Sequence, residues 1–246
     1  MKKIVALLLL LCLWMTLCGC GRNGAAILCI AEGAPAGQAL TAEDKSLSCA
    51  LAASDIAALQ QLDAGACDFA LVTEQGLNDA QTGAVRMERV TLAAFCILSR
   101  AGAFSEWGVN TRVTVVGEQG GYADALAQQV LTCALHSAVR YMDAQDALAA
   151  LKRGQTDVVM GLFAPQDAAV AALLKAKKDV RLLSMPEGLL GVKLPDESME
   201  ETALTVQGQT AQTYALRGAL VRTADAAEDA AQRVLDAAQN AGLIEK

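Results

Sequence analysis

Leu59-Gln60-Gln61-Leu62-Asp63-Ala64-Gly65-Ala66-Cys67-Asp68-Phe69-Ala70-Leu71-Val72 reads as the end of an amphipathic helix, a closing glycine, a tight turn and a buried strand. Leu148-Ala149-Ala150-Leu151-Lys152-Arg153-Gly154-Gln155-Thr156-Asp157-Val158-Val159-Met160 repeats it, with Leu, Leu, Gly and Asp at the same spacing. Leucines three apart share a helix face. Glycine takes the left-handed conformation that ends a helix at little cost, and the aspartate offers acceptors to turn amides. Such junctions often carry Gly and Asp, so the match also arises by chance. Taken as a repeat, it predicts two similar α/β halves with a small ligand in the cleft between them.

The flanking sequence fits that scheme. Apolar runs at 27–30, 47–51, 69–72, 91–99, 113–116, 141–142, 158–161, 180–183 and 214–221 read as strands. Helices are predicted over 55–64 behind the N-cap Ser54, from Tyr122 to about Leu135, over 143–153, over 166–178 and over 224–241. The stretch 32–45 reads as a short loop and 187–212 as irregular. Strands alternating with helices make an α/β fold with parallel sheets. In such sheets ligands collect beyond the C-terminal strand ends.

The first residues read as a targeting segment. Lys2 and Lys3 precede an apolar run, 4–17, too short for a comfortable membrane span. Leu17-Cys18-Gly19-Cys20 resembles the bacterial lipobox, which implies cleavage after residue 19 and a lipid on Cys20. An ordinary secretory signal and a membrane anchor are the alternatives. The polar, Gly-rich residues after Cys20 favour a tether, assigned to 20–26. The expected product is an extracytoplasmic body held to the membrane by lipid.

Composition narrows the function. The formal charge is −7, and it grows more negative once Lys2 and Lys3 leave with the signal. An acidic body does not suit a phosphate backbone, so no nucleic-acid partner is expected. Aromatics at 4% argue against a base- or sugar-stacking platform. Beyond Cys20 the cysteines are Cys29, Cys49, Cys67, Cys96 and Cys133, an odd set without C-x-x-C spacing. Cys29 and Cys96 read as small core hydrophobes. With His136 as the one histidine, no metal site, cofactor or catalytic set is expected, and the chain is not read as an enzyme.

The order of elements resembles type II periplasmic binding proteins, whose chain crosses twice between lobes. The resemblance implies a two-lobed α/β fold with mainly parallel sheets flanked by helices. Here it places lobe I at 27–102 and 213–246 and lobe II at 103–212, with crossings near 100–110 and 205–213. Several stretches are similar to the TAXI solute receptors of TRAP transporters: 55–72, 112–117 with its glycine turn, 180–186 and 219–225. Two regions depart from that family. Its Gly/Thr/Tyr-rich turn and helix after the first strand have no counterpart in 32–45, and its Ser-Gly-Thr turn is Gly120-Gly121-Tyr122 here.

A monomeric lipid-anchored receptor for an amino acid or carboxylate is therefore expected, serving a TRAP permease. The alternatives are an ABC-importer receptor of the same fold and a degenerate, non-transport interaction lipoprotein. The ligand is expected among Glu32, Gly33, Thr73, Glu74, Gln75, Gln119, Gly120, Gly121, Tyr122 and Phe163. In that scheme Thr73 and Gln75 bond polar groups, while the Gly120 and Gly121 amides hold a carboxylate at a helix N-terminus. Tyr122 and Phe163 wall the pocket, and Glu32 with Glu74 would instead favour an amine. Each of these positions also reads as plain loop surface. The scheme needs hinged halves with room at their seam, and one uninterrupted sheet or sealed halves would tell against it.

Overall fold

A computed structural model describes residues 26–31, 35–191 and 198–244. The signal, Cys20 and most of the tether lie outside the described residues. In chain order the elements are β1 (Ala26–Ala31), α1 (Pro35–Glu43), β2 (Leu47–Ala52), α2 (Asp55–Asp63), β3 (Phe69–Thr73), α3 (Glu74–Asp79) and β4 (Val85–Ser99). Next come β5 (Val113–Val116), α4 (Tyr122–Leu131), β6 (Val139–Met142), α5 (Ala144–Arg153), β7 (Val158–Phe163), α6 (Ala168–Ala176) and β8 (Arg181–Leu183). β9 (Met199–Val206), β10 (Gln209–Arg222) and α7 (Glu228–Asn240) complete them.

The strand order is β2-β1-β3-β10-β4-β7-β5-β6, with β8 beside β4 and β9 beside β10. Read from either end, this order has the same logic. β2, β1, β3 and β10 occupy in one arm the places that β6, β5, β7 and β4 occupy in the other. The repeat seen in the sequence is therefore a structural one. Gly65 (φ +67°) and Gly154 (φ +71°) both end their helices in the left-handed region. Asp68 accepts from the Ile27 amide at 3.1 Å, and Asp157 accepts from the Arg112 amide at 2.9 Å. Each aspartate thus ties the turn before one parallel strand to the start of its neighbour.

The arms are parallel, β1 with β2 and β3, and β5 with β6 and β7. The centre is antiparallel, β10 with β3 and β4, and β4 with β7. Hydrogen bonding is continuous across the order, where the sequence pointed to separate sheets. The reason is that β4 and β10 are long enough to belong to both arms. β4 and β10 thus connect the arms; of the two stretches expected as crossings, 100–110 is a loop with one short 3-10 turn and 205–213 falls in the β9–β10 hairpin. β4 starts at Val85, before the expected residue 91, because its first residues pair with the end of β10.

Each arm nevertheless keeps its own two cores. Leu28, Ile30, Phe69 and Leu71 pack with Leu40 and Val234 under α1 and α7, while Cys29, Ala70 and Val72 meet Leu59 and Leu62 of α2. In the second arm Phe95, Ile97, Val115 and Met160 pack with Leu126 and Val130 of α4. Cys96, Leu98 and Val159 pack with Leu148, Leu151 and Leu173 of α5 and α6. Each fully buried aliphatic side chain contributes about 1.5–3 kcal/mol. Burial pushes the Cys96 thiol up to about 12, in keeping with a packing role.

Three local expectations are corrected. The stretch after β1 holds the helix α1, whose Ala36, Gly37 and Leu40 bury one face against the sheet. The region before residue 212 holds β9, joined to β10 by a tight hairpin at Gln207 (φ 51°) and Gly208 (φ +75°). Helix α4 ends at Leu131, before the expected Leu135, since the following residues turn back on Gln129 and Val130.

Gly218 sits where β3, β10 and β4 meet, opposite Thr73 and Val90. A Cβ there would overlap the Val72 carbonyl oxygen and the Leu92 side chain. Gly218→Ala is expected to lower stability by about 1–3 kcal/mol, read as a fall in the urea midpoint. Gly108→Ala meets nothing within 4 Å and should leave the midpoint in place.

Candidate functional site

The sites expected from the sequence lie at the C-terminal ends of β1, β3, β5 and β7. At the end of β3, Thr73 is the N-cap of α3. Its hydroxyl donates to Asp55 Oδ2 and accepts from the Gly76 amide at 2.9 Å. Glu74 is an internal counter-ion, paired with Arg86 at 2.5 Å and lying 3.4 Å from Arg89. The series continues from Arg89 to Glu200 and from Glu200 to Arg217. Arg217 is buried, and its guanidinium also donates to Thr91 Oγ1. Burying such a charge requires partners of this kind. Thr73 and Glu74, expected to meet a ligand, thus have partners within the chain, while Glu74 Oε1 is buried and accepts no hydrogen bond from a described residue. Gln75 is exposed, and its amide donates to the buried Ser198 hydroxyl at 2.9 Å.

At the end of β5, Gln119, Gly120, Gly121 and Tyr122 are exposed. The Gly120 amide donates to Asp124 Oδ2 at 2.8 Å, and the Gly121 amide reaches the Glu118 carbonyl at 3.3 Å. A carboxylate of the chain itself, that of Asp124, thus lies at this helix N-terminus beside the Gly120 amide. Asp124 is buried, and its Oδ1 accepts from Tyr141 Oη at 2.9 Å and Gln128 Nε2 at 3.0 Å. Burial alone would raise its pKa. The bonds from Gln128, Gly120 and Tyr141 outweigh burial and hold it below the ordinary carboxylate value. An aspartate three residues after a glycine N-cap is the sequence signal for this arrangement.

Phe163, at the end of β7, is 1% exposed and belongs to the core under α5 and α6. Glu32 and Gly33 lie outside the described residues, directly before α1.

A hollow of about 270 Å³ opens between the arms. Helix α1 lines it with Pro35, Gln38 and Glu43, and the end of α7 with Asn240. From the second arm come Ala164, Gln166 and Asp167, which follow β7. Asp167 caps α6, accepting from the Ala169 and Val170 amides at 2.9 Å. The charged side chains in this lining are both carboxylates, Glu43 and Asp167, accompanied by the amides of Gln38, Gln166 and Asn240. None of the expected site residues that the structure describes lines this hollow. Its lining comes from segments far apart in sequence and carries no shared motif.

No protein-family model matches the chain, and no curated protein matches it. Solved structures do resemble it. The periplasmic aliphatic sulphonate binding protein SsuA from Escherichia coli is 15% identical, with 89% of this chain and 69% of that chain covered and a TM-score of 0.44. An ABC transporter structure from Parabacteroides distasonis is 12% identical, with 89% and 72% covered and a TM-score of 0.46. The GluR0 ligand-binding core in complex with L-glutamate is 13% identical, with 89% and 93% covered and a TM-score of 0.42. The likeness assigns no ligand and no partner to this chain.

Among the described residues no group of three or more His, Cys, Asp or Glu is placed to hold a metal, and no helix is long and apolar enough to cross a membrane.

The Asp124 carboxylate has a testable pH signature. Its lowered pKa contributes stability above about pH 3.9, its ordinary unfolded value, and that contribution is lost as pH falls through the folded value. Asp124→Asn is expected to lower the thermal midpoint at pH 7. The difference from wild type should shrink as unfolding is followed down to pH 3.

Proposed function

We propose that this chain is a lipid-anchored, extracytoplasmic solute receptor that holds a small polar molecule at the seam between its arms and hands it to a membrane permease. The observation that carries this reading is the polar hollow between α1, α7 and the residues after β7, with its two carboxylates and three amides. Such a lining suits a ligand with an ammonium group, amino acids included, since each carboxylate is a charge-assisted acceptor. This shifts the expectation away from carboxylate capture at Gly120 and Gly121. Resemblance to the TAXI receptors favours a TRAP permease, and an ABC importer is the alternative partner. The lobe assignment, 27–102 with 213–246 against 103–212, belongs to the same proposal, with β4 and β10 as the connection. A monomer suffices for this role.

The second reading is an interaction lipoprotein that binds no solute. It is favoured by the continuous ten-stranded sheet, which tells against hinged halves, and by the internal pairing of Thr73, Glu74 and Gly120.

A melting-temperature screen with amino acids, amines and dicarboxylates separates the two. A receptor gains about 2.7 kcal/mol at a ligand concentration a hundredfold above Kd. An amine-bearing compound is expected to raise the midpoint, and the Gln166→Ala and Asp167→Asn variants to lose most of that rise. A protein indifferent to every compound would be the interaction lipoprotein. Separately, Cys20→Ser is expected to move the protein from the membrane fraction to the soluble one; continued membrane retention would contradict the lipid anchor.

A further inference from the structure

A larger cavity, about 380 Å³, lies in the second arm away from the seam, between α5 and the strands β5 and β6, of which β6 is the sheet edge. Its lining includes Arg112, Thr114, Arg140, Met142, Gln155 and Thr156. The internal repeat explains why it exists. The matching place in the first arm is filled: Cys29 and Cys67 stand where Thr114 and Thr156 stand, and Gln61 stands where Ala150 stands. Gln61 reaches across to accept from Cys29 Sγ at 3.2 Å. In the second arm the methyl group of Ala150 leaves that volume open, and Arg140 replaces Ala50 on the edge strand beside it.

Donors line this cavity at Arg112, Arg140 and Gln155, whereas the Thr114 hydroxyl donates to Thr156 Oγ1 and the Thr156 hydroxyl to the Arg112 carbonyl. Arg112 is held rigidly: Nε donates to Asp157 Oδ2 at 2.9 Å, and Nη2 donates to Asp157 Oδ1 at 2.7 Å and to the Gly154 carbonyl at 2.9 Å. Arg140, across the ladder from Thr114, is exposed and makes no ion pair or hydrogen bond with a described side chain. Gln155 receives Arg153 on Oε1 at 3.1 Å, which leaves its amide nitrogen as a donor. Thr114 and Thr156 are buried, with their hydroxyls 3.0 Å apart. Of the two charged lining residues, Arg112 is paired with Asp157 and Arg140 has no ion-pair partner among the described residues. The pocket therefore carries net positive charge on an acidic protein.

We propose that this pocket is an anion site that takes a phosphate group, with Arg140 as its principal charge and Arg112 and Gln155 as fixed donors. Guanidinium forks match the tetrahedral oxygens of phosphate. The site is independent of the solute hollow at the seam. The phosphate can come from a soluble phosphate compound or from the headgroup of an anionic lipid, near which the tether would hold this body.

Inorganic phosphate titrated into the purified protein at constant ionic strength is the first measurement. Saturable binding is expected in the millimolar range or tighter, weakened at least about tenfold by Arg140→Gln and by Ala150→Gln. The second variant fills the cavity as Gln61 fills its counterpart, and it leaves every charge in place. Arg181→Gln, on an exposed strand end elsewhere, should bind like wild type. Vesicles of phosphatidylglycerol and of phosphatidylcholine separate the sources. Arg140-dependent sedimentation with the anionic vesicles assigns the site to headgroups, and Arg140-dependent phosphate binding without it assigns a soluble ligand. Absence of saturable binding to phosphate and to anionic vesicles, or binding unchanged in both cavity variants, overturns the proposal.

Discussion

The structure depends on one constraint: β4 and β10 must pair antiparallel while each serves two arms. Their shared ladder runs from Ala94 and Ala215 to Val85 and Arg222, with irregular steps at Leu216/Arg217 and Leu220/Val221. A bulge adds a residue to one strand, bends it and sharpens its twist. The first irregularity falls beside Leu92 and Ala93, where β4 passes from the core under α1 and α7 to the cores of the second arm. Gly218 allows the close approach that this crossing demands, and the buried Arg217 is neutralised by Glu200 within the same short stretch. Any relative motion of the arms has to be absorbed by these two strands.

Around that centre the chain uses one supersecondary unit twice and finishes it differently each time. Both copies keep the glycine that ends the helix and the aspartate that holds the neighbouring strand. These positions are set by backbone geometry, which tolerates few substitutes. The positions between sheet and helix are free to vary as long as volume is conserved or the space is solvated. In the first arm a glutamine and two thiols close that space. In the second, an alanine and two threonines leave it open, and arginines gather at its rim.

The polar groups at the strand ends follow a different rule. A helix N-terminus attracts an anion, and in α4 the nearest anion is Asp124, on the first turn of the helix itself. A carboxylate near two arginines forms ion pairs, and Glu74 does so with Arg86 and Arg89. Local chemistry of the kind that suggests a ligand site is equally able to satisfy itself. The hollow at the seam arises from groups with weaker internal claims: exposed amides on α1 and α7, and the residues after β7.

The sequence by itself determined the repeat, the alternation of strands and helices, and so the α/β class, because periodicity and glycine turns act over a few residues. It also carried the helix caps at Ser54 and Asp143, whose side chains accept from amides three residues on. It did not reveal α1, whose small residues give a weak amphipathic signal, or β9, whose pairing with β10 comes from a hairpin. It was equally silent on which polar groups would pair with one another. Glu74 meets Arg89, Gln75 meets Ser198, and Gln38 and Gln166 line one hollow only once the two long strands have brought the arms together. Contacts between residues distant along the chain depend on how the elements pack, and only the tertiary structure decides that.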